Sequence, residues 1–311
     1  MAIDRRTFLK TAAVTGAAAS FAPTSLSWAA DTAPGSFDFV FFTDTHIQPE
    51  LDAAHGCDMC FRKIAGLQPE FAIMGGDHVF DALSVDRTRA NAVFDLYKNT
   101  QQTLQMPLHH TIGNHDVFGV NTKSGASPSD PSYGKKMYED RLGRTYYSFD
   151  HKGWHFIVLD SIQPTEDRMW QARIDDPQLT WLKDELNRVG ATTPIVVTVH
   201  VPLVSAFATY AEKVTTGQKY NTLTVDNAPD VLAAFEGHNV VAVLQGHLHV
   251  NELVVLKNTR YILGGAVCGN WWRGARMGYP EGFTVVSARD GRISTRYETY
   301  GFKAVASPEK T

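Results

Sequence analysis

Residues 38–46 read Asp-Phe-Val-Phe-Phe-Thr-Asp-Thr-His. The Val- and Phe-rich run 38–43 predicts a strand, and that strand runs directly into Asp44-Thr45-His46. The arrangement recurs down the chain. A strand at 71–75 leads into Gly76-Asp77-His78, and one at 108–113 into Asn114-His115-Asp116. The β-branched run 195–200 ends on His200, and 240–245 leads into Gly246-His247-Leu248-His249. Continuous apolar runs of this kind suit strands covered on both faces. In an open α/β sheet, sites form outside the carboxyl ends of strands. Five strand ends that finish in Asp, Asn or His therefore predict one shared site.

The intervals between these strands carry helical spacing. Met59, Phe61, Ile64 and Leu67 predict a helix over 57–67, and others are expected at 87–104, 176–189 and 230–235. Asp176-Pro177 is expected to supply the cap and first position of the third helix. Hairpins are expected at 146–160 around His151-Lys152-Gly153, at 253–264 around Asn258, and at 283–300 across Asp290-Gly291. Residues 119–132, rich in Gly, Ser, Pro and Asn, read as a surface loop. Strands alternating with helices and ending in hairpins predict a layered α/β sandwich in one domain, residues 31–311.

Residues 1–30 are expected to stand outside that fold. Arg5-Arg6 is followed by Phe-Leu-Lys, an Ala-rich run over 11–22 and the small-residue stretch Ser27-Trp28-Ala29-Ala30. This is the pattern of a cleaved export signal, and the paired arginines give it Tat character. The apolar run is too short for stable membrane insertion, which needs ~20 apolar residues. The expected destination is the periplasm or the exterior, with the Tat export machinery as a partner. That route carries folded proteins, which suits a metalloenzyme. The full chain has 29 cations and 33 anions, and loss of residues 1–30 leaves 26 and 32, a net charge of −6. Such a chain has no general attraction for nucleic acid. Three cysteines make no disulfide framework. Cys57 and Cys60 read as packing residues of a helix, ahead of a disulfide and of a redox or zinc site.

Asp and Asn oxygens with His nitrogens suit two divalent ions of the Mn, Fe or Zn type, and the set contains no thiolate. In Asp44-x-His46 and His247-x-His249, alternate residues of an extended segment share a side. The glycines before Asp77, Asn114 and His247 are expected to let the backbone turn sharply. His109, His110, His155 and His238 are given no role.

The ordered set, Asp-x-His, Gly-Asp, Gly-Asn-His-Asp, a strand-ending His and Gly-His-x-His, resembles the calcineurin-like metallophosphoesterase superfamily. The loop with Trp271-Trp272 is similar to loops of exported bacterial, cyclic-nucleotide-phosphodiesterase-like members. The resemblance implies a four-layer αββα sandwich of two mixed β-sheets flanked by helices. It implies Asp44, His46 and His249 on one metal, Asn114, His200 and His247 on the other, and Asp77 between them. It implies hydrolysis of a phosphate mono- or diester by in-line attack of a bridging hydroxide. His115 would be the general acid, and Asp116 completes the catalytic motif. Relatives with a tyrosinate-bound iron or an acid-orienting Asp carry that residue where this chain has Phe80. Asp81 is the neighbouring substitute for the orienting carboxylate. Trp271, Trp272 and Arg273, with Arg276, lie in the Gly-rich stretch 264–282 and are expected to line a small phosphoester substrate. Two rival readings are a non-catalytic metal-binding scaffold and a metal-dependent amidohydrolase. The first would need a missing ligand, and the second would need His-x-His on the first strand.

Overall fold

The computed structural model describes residues 33–215 and 219–305, with backbone only for 212–215. The export signal expected at 1–30 lies outside the described residues. Those after residue 32 fall in one compact unit.

Two mixed sheets face each other. The first has the order β13-β12-β1-β2-β3. β1 (Phe37–Phe42), β2 (Ala72–Met74) and β3 (Leu108–His110) run parallel. β12 (Gly282–Arg289) and β13 (Arg292–Thr299) are antiparallel to their neighbours. The second sheet has the order β10-β11-β9-β8-β5-β4. Its parallel centre is β5 (Trp154–Leu159), β8 (Ile195–Val199), β9 (Val240–Gln245) and β11 (Thr259–Gly264). β4 (Tyr147–His151) and β10 (Asn251–Leu256) are its antiparallel edges.

Period-two alternation builds the layers. Phe37, Phe39 and Phe41 of β1 join Phe156, Leu244 and Val286 in the core between the sheets. Val40 and Phe42 face the other way, onto Phe61 and Ile64 of α1 (Ala53–Gly66) and Val93 and Phe94 of α2 (Arg87–Thr100). Outside the second sheet, Ile157, Val197 and Val243 meet Leu182 and Leu186 of α4 (Asp176–Val189) and Val231 of α6 (Ala228–Ala234). Helix, sheet, sheet and helix make four layers. Cys57 and Cys60 are buried free thiols of α1, so packing is their role.

Several boundaries differ from expectation. α1 starts at Ala53, four residues before Cys57. The helix expected over 87–104 ends its last turn as a 3₁₀ turn at Gln101–Thr103. α4 is capped by Asp175, whose carboxylate accepts from Gln178 N, so Asp176 and Pro177 both lie inside the first turn. Three features had no sequence expectation: α3 (Lys136–Leu142), α5 (Ala206–Thr215) and the small hairpin of β6 (Ile162–Pro164) with β7 (Trp170–Ala172).

Candidate functional site

The expected strand ends do converge. Asp44 Oδ1, His46 Nε2, Asp77 Oδ2 and His249 Nε2 point at one spot after β1, β2 and β9. His46 Nε2 is 3.1 Å from His249 Nε2, 3.4 Å from Asp77 Oδ2 and 3.8 Å from Asp44 Oδ1. His249 Nε2 is 3.2 Å from Asp44 Oδ1. Donors bound tetrahedrally at ~2.0–2.1 Å lie roughly 3.3–3.4 Å apart, so this spacing fits a cation at the centre. On the other side Asp77 Oδ2 is 3.1 Å from His200 Nε2. Asp77, His200 and His247 form a second group with ligand-capable spacing.

The surroundings aim these side chains. His200 Nδ1 donates to Gly75 O at 2.8 Å, His249 Nδ1 to Gly269 O at 2.7 Å, and His247 Nε2 to Thr222 O at 2.8 Å. Each bond orients its ring and turns the other ring nitrogen inward. Asn114 Oδ1 is buried without a hydrogen-bond partner among the described residues. Buried polar atoms of that kind normally have one, and a cation would satisfy it.

The electrostatics agree. Burial works against an ionised Asp44, but the charge and hydrogen bond of His249 hold its carboxyl well below the usual range. Asp77 is held low in the same way, against burial, by His200 and His115. Burial pushes His46 down to about 4 and His247 to about 3, so both offer neutral imidazoles. His200 resists burial because of Asp77 and is pushed up to about 9. Two carboxylates thus stay ionised beside the neutral rings of His46 and His247, a donor set that suits a cation.

Five of these seven residues have left-handed backbone: Asp44 (φ 56°), His46 (38°), Asp77 (56°), His247 (73°) and His249 (56°). Only Gly76, at φ 104°, supplies the sharp turn expected of the glycines. Gly113 is in extended backbone, and Gly113 and Gly246 are needed for space. A Cβ at Gly113 would overlap Asp77, and one at Gly246 would overlap Thr43 Oγ1.

His115 lies beside the pair. Its backbone N–H donates to Asp77 Oδ1 at 2.8 Å, and its ring meets His46 edge-on with centroids 4.6 Å apart. Phe80 stacks on the His115 ring with centroids 5.9 Å apart and also meets His46, at 6.0 Å. Asp81 does not orient His115, because its carboxylate caps Ser84 N at 2.8 Å. Asp116, grouped with His115 in the sequence, does not reach the reacting side. It is fully buried and accepts from Asp77 N (3.0 Å), His78 N (2.8 Å), His78 Nδ1 (2.8 Å) and Gly113 N (2.9 Å). Its part is to lash the second and third site loops together. His78 Nε2 continues the chain to His110 Nδ1 at 3.0 Å, a structural use for both histidines that the sequence did not reveal.

The loop after β11 divides the two tryptophans. Trp272 is 0% exposed and its indole N–H is shared by Thr45 O (3.0 Å) and His46 O (3.1 Å), so the expectation that it touches substrate is corrected. Trp271 is half-buried, 4.7 Å from the His249 ring, with the Arg276 guanidinium 5.0 Å above its face. Arg273 is half-buried beside them in sequence. Trp170 of β7, absent from the sequence reading, meets His247 edge-on at 5.8 Å.

The sequence profile described as calcineurin-like phosphoesterase matches residues 37–251, and that of a Tat pathway signal matches residues 2–22. The Tat signal directs the chain to export, into the periplasm or beyond. No described helix is long and apolar enough to cross a membrane. Among solved structures, a dimetal phosphatase from Danio rerio is similar at 14% identity and TM-score 0.58, covering 85% of this chain and 99% of its own. A purple acid phosphatase from yellow lupin is similar at 14% identity and TM-score 0.58, covering 87% and 52%. GAP50, the anchor in the inner membrane complex of Plasmodium, is similar at 14% identity and TM-score 0.54, covering 85% of each. At these identities the likeness is one of fold. No curated protein matches significantly.

Proposed function

This chain belongs to the calcineurin-like phosphoesterase family and is a metal-dependent phosphoesterase, and on that premise we propose how its residues divide the work. Asp44, His46 and His249 would hold one divalent cation and Asn114, His200 and His247 a second, with Asp77 available to both. Bound cations would supply a water acidified toward neutral pH and a clamp for phosphate oxygens. The reading rests on one observation above the rest: Asp44 Oδ1, His46 Nε2, Asp77 Oδ2 and His249 Nε2 converge, with separations of 3.1 to 3.8 Å from the His46 and His249 nitrogens to their neighbours.

The remaining chemistry falls to the protein. Asp77 Oδ1 accepts the His115 backbone N–H, which leaves Oδ2 for cations and would tie the acid to a ligand carboxylate. His115 carries the proton for the departing ester oxygen. Packing against His46 and Phe80, which also touch each other, restricts how its ring can tilt. Asp116 keeps the Asp77 and Gly113 backbones in register. Of the residues in and beside the centre, His115 and His247 are partly exposed while Asp44, His46, Asp77, His200 and His249 are buried. A phosphate ester therefore enters across His115 and His247.

The test is purification of the chain, elemental analysis, and assay of p-nitrophenyl phosphate beside bis(p-nitrophenyl) phosphate. Two bound ions, activity on at least one ester, loss with a chelator and recovery with added Mn, Fe or Zn are expected. A protein carrying both ions that hydrolyses neither ester would contradict the reading.

A further inference from the structure

Two half-buried tryptophans lie against histidines assigned to different cation positions. The Trp271 ring lies 4.7 Å from His249 and 6.2 Å from His46. The Trp170 ring lies 5.8 Å from His247, a residue of the other cation position. Both are held by their backbones. Trp271 sits at φ 48° in a loop closed by Trp272 N to Cys268 O (2.7 Å) and Asn270 N to Gly274 O (2.8 Å). Trp170 pairs with Pro164 across its hairpin. Arg168, at the hairpin tip, donates to Gly119 O (2.7 Å) and Val120 O (3.0 Å). Ala172 N, at the far end of the same strand, donates to Asn221 O, next to the Thr222 carbonyl that orients His247. The piece of chain that aims His247 thus also fixes Trp170.

Among the described residues of this hairpin, Arg168 spends its guanidinium on backbone carbonyls, and Asp167 pairs with Lys219. Trp170 offers a half-buried ring beside His247. A phosphate monoester sends one substituent away from phosphorus, whereas a diester sends two.

We propose that Trp170 and Trp271 are the two ester-group walls of this site, and that its substrate is a phosphodiester bearing planar aromatic or heteroaromatic groups. The proposal rests on the phosphoesterase reading above. His115 packs on His46, at the Trp271 end, so the leaving group lies against Trp271 and the retained group against Trp170. One P–O bond forms from water and the P–O bond to the leaving group breaks. The departing oxygen takes its proton from His115, and the products are a phosphomonoester and a free hydroxyl compound.

The experiment compares bis(p-nitrophenyl) phosphate with methyl p-nitrophenyl phosphate on the metal-loaded protein. The second ester keeps the aromatic leaving group and replaces the retained group by methyl. Trp170→Ala is expected to lower kcat/KM for the bis-aryl ester about tenfold, mainly through KM, and for the methyl ester by less than about threefold. Trp170→Phe, which keeps a ring, should recover most of the loss. Trp271→Ala should lower both esters by similar factors, since both place a ring there. Metal content should match wild type throughout. Equal losses on the two esters with Trp170→Ala, or loss of metal in Trp170→Phe, would remove the walls and leave the phosphoesterase reading standing. A wild type loaded with both ions that is inactive on both diesters but hydrolyses p-nitrophenyl phosphate would remove the proposal and leave the phosphoesterase reading standing, whereas inactivity on all three esters would remove both.

Discussion

The two ends of the sheets use the same unusual backbone for different reasons. At the end away from the site, Lys152-Gly153 (φ 48° and 77°) and Asp290-Gly291 (51° and 69°) reverse the chain between adjacent strands. Two-residue hairpins need left-handed backbone at both positions, and a glycine makes it inexpensive. At the site end, Asp44, His46, Asp77, His247 and His249 occupy the same region without any hairpin and without glycine. Each such position costs on the order of 1–3 kcal/mol and persists only where the surroundings enforce it. Here the enforcing bonds run from loop to loop: Asp44 N to Gly76 O, His46 N to Asp77 O, His247 N to Asp44 Oδ1 and Asp77 N to Asp116 Oδ2. At one end the local sequence sets the conformation, and at the other the folded whole imposes it so that donor atoms can meet.

The comparison breaks most decisively at Asp77, the carboxylate assigned to both cation positions. Asp77→Ala should lose both ions in elemental analysis, and activity with them, because each group of donors loses a member and the His115 N–H loses its acceptor. Two ions per chain in that variant would show that Asp77 is not shared. His115→Ala is the next largest. Loss of a general acid typically costs ~10²–10⁴-fold in rate. The drop should be seen in kcat on an alkyl ester with both ions retained, and should be smaller where the leaving group is p-nitrophenolate, which needs little protonation. Equal rates for mutant and wild type on the alkyl ester would exclude this role.

Much of this was legible because the polar ligands interrupt runs that are otherwise continuous in apolar residues. Val40 and Phe42 against Phe39 and Phe41 show strands covered on both faces, and the residues directly after them could only be at an edge. Other features depend on contacts distant in sequence. Gly113 and Gly246 look like turn glycines, but their need is for space beside Asp77 and Thr43. The β6–β7 hairpin has strands of three residues, too short for a period, so Trp170 gave no signal. Trp271 and Trp272 are adjacent and chemically identical, and only the loop's backbone decides that one faces the site and the other supports it from behind. Trp272→Phe sharpens that division. It keeps a ring against Phe302 but removes the N–H shared by the Thr45 and His46 carbonyls. A destabilisation of about 1–2 kcal/mol is expected, read as a lower Tm, with the preference between esters unaltered. A changed ester preference at constant Tm would instead put Trp272 in contact with substrate.

The smallest effect belongs to the far end. Gly291→Ala places a side chain at φ 69°, where the nearest atom to the new Cβ is Pro34 Cγ at 3.9 Å, an ordinary contact. Only backbone strain remains, about 1 kcal/mol for an L-residue in this region. Tm should fall slightly, while metal content and kcat/KM stay at wild-type values, because no bond of the site passes through the β12–β13 turn. If metal content fell with Tm, the two ends would share one conformational equilibrium. The contrast between a turn set locally and a centre imposed by the fold would then fail.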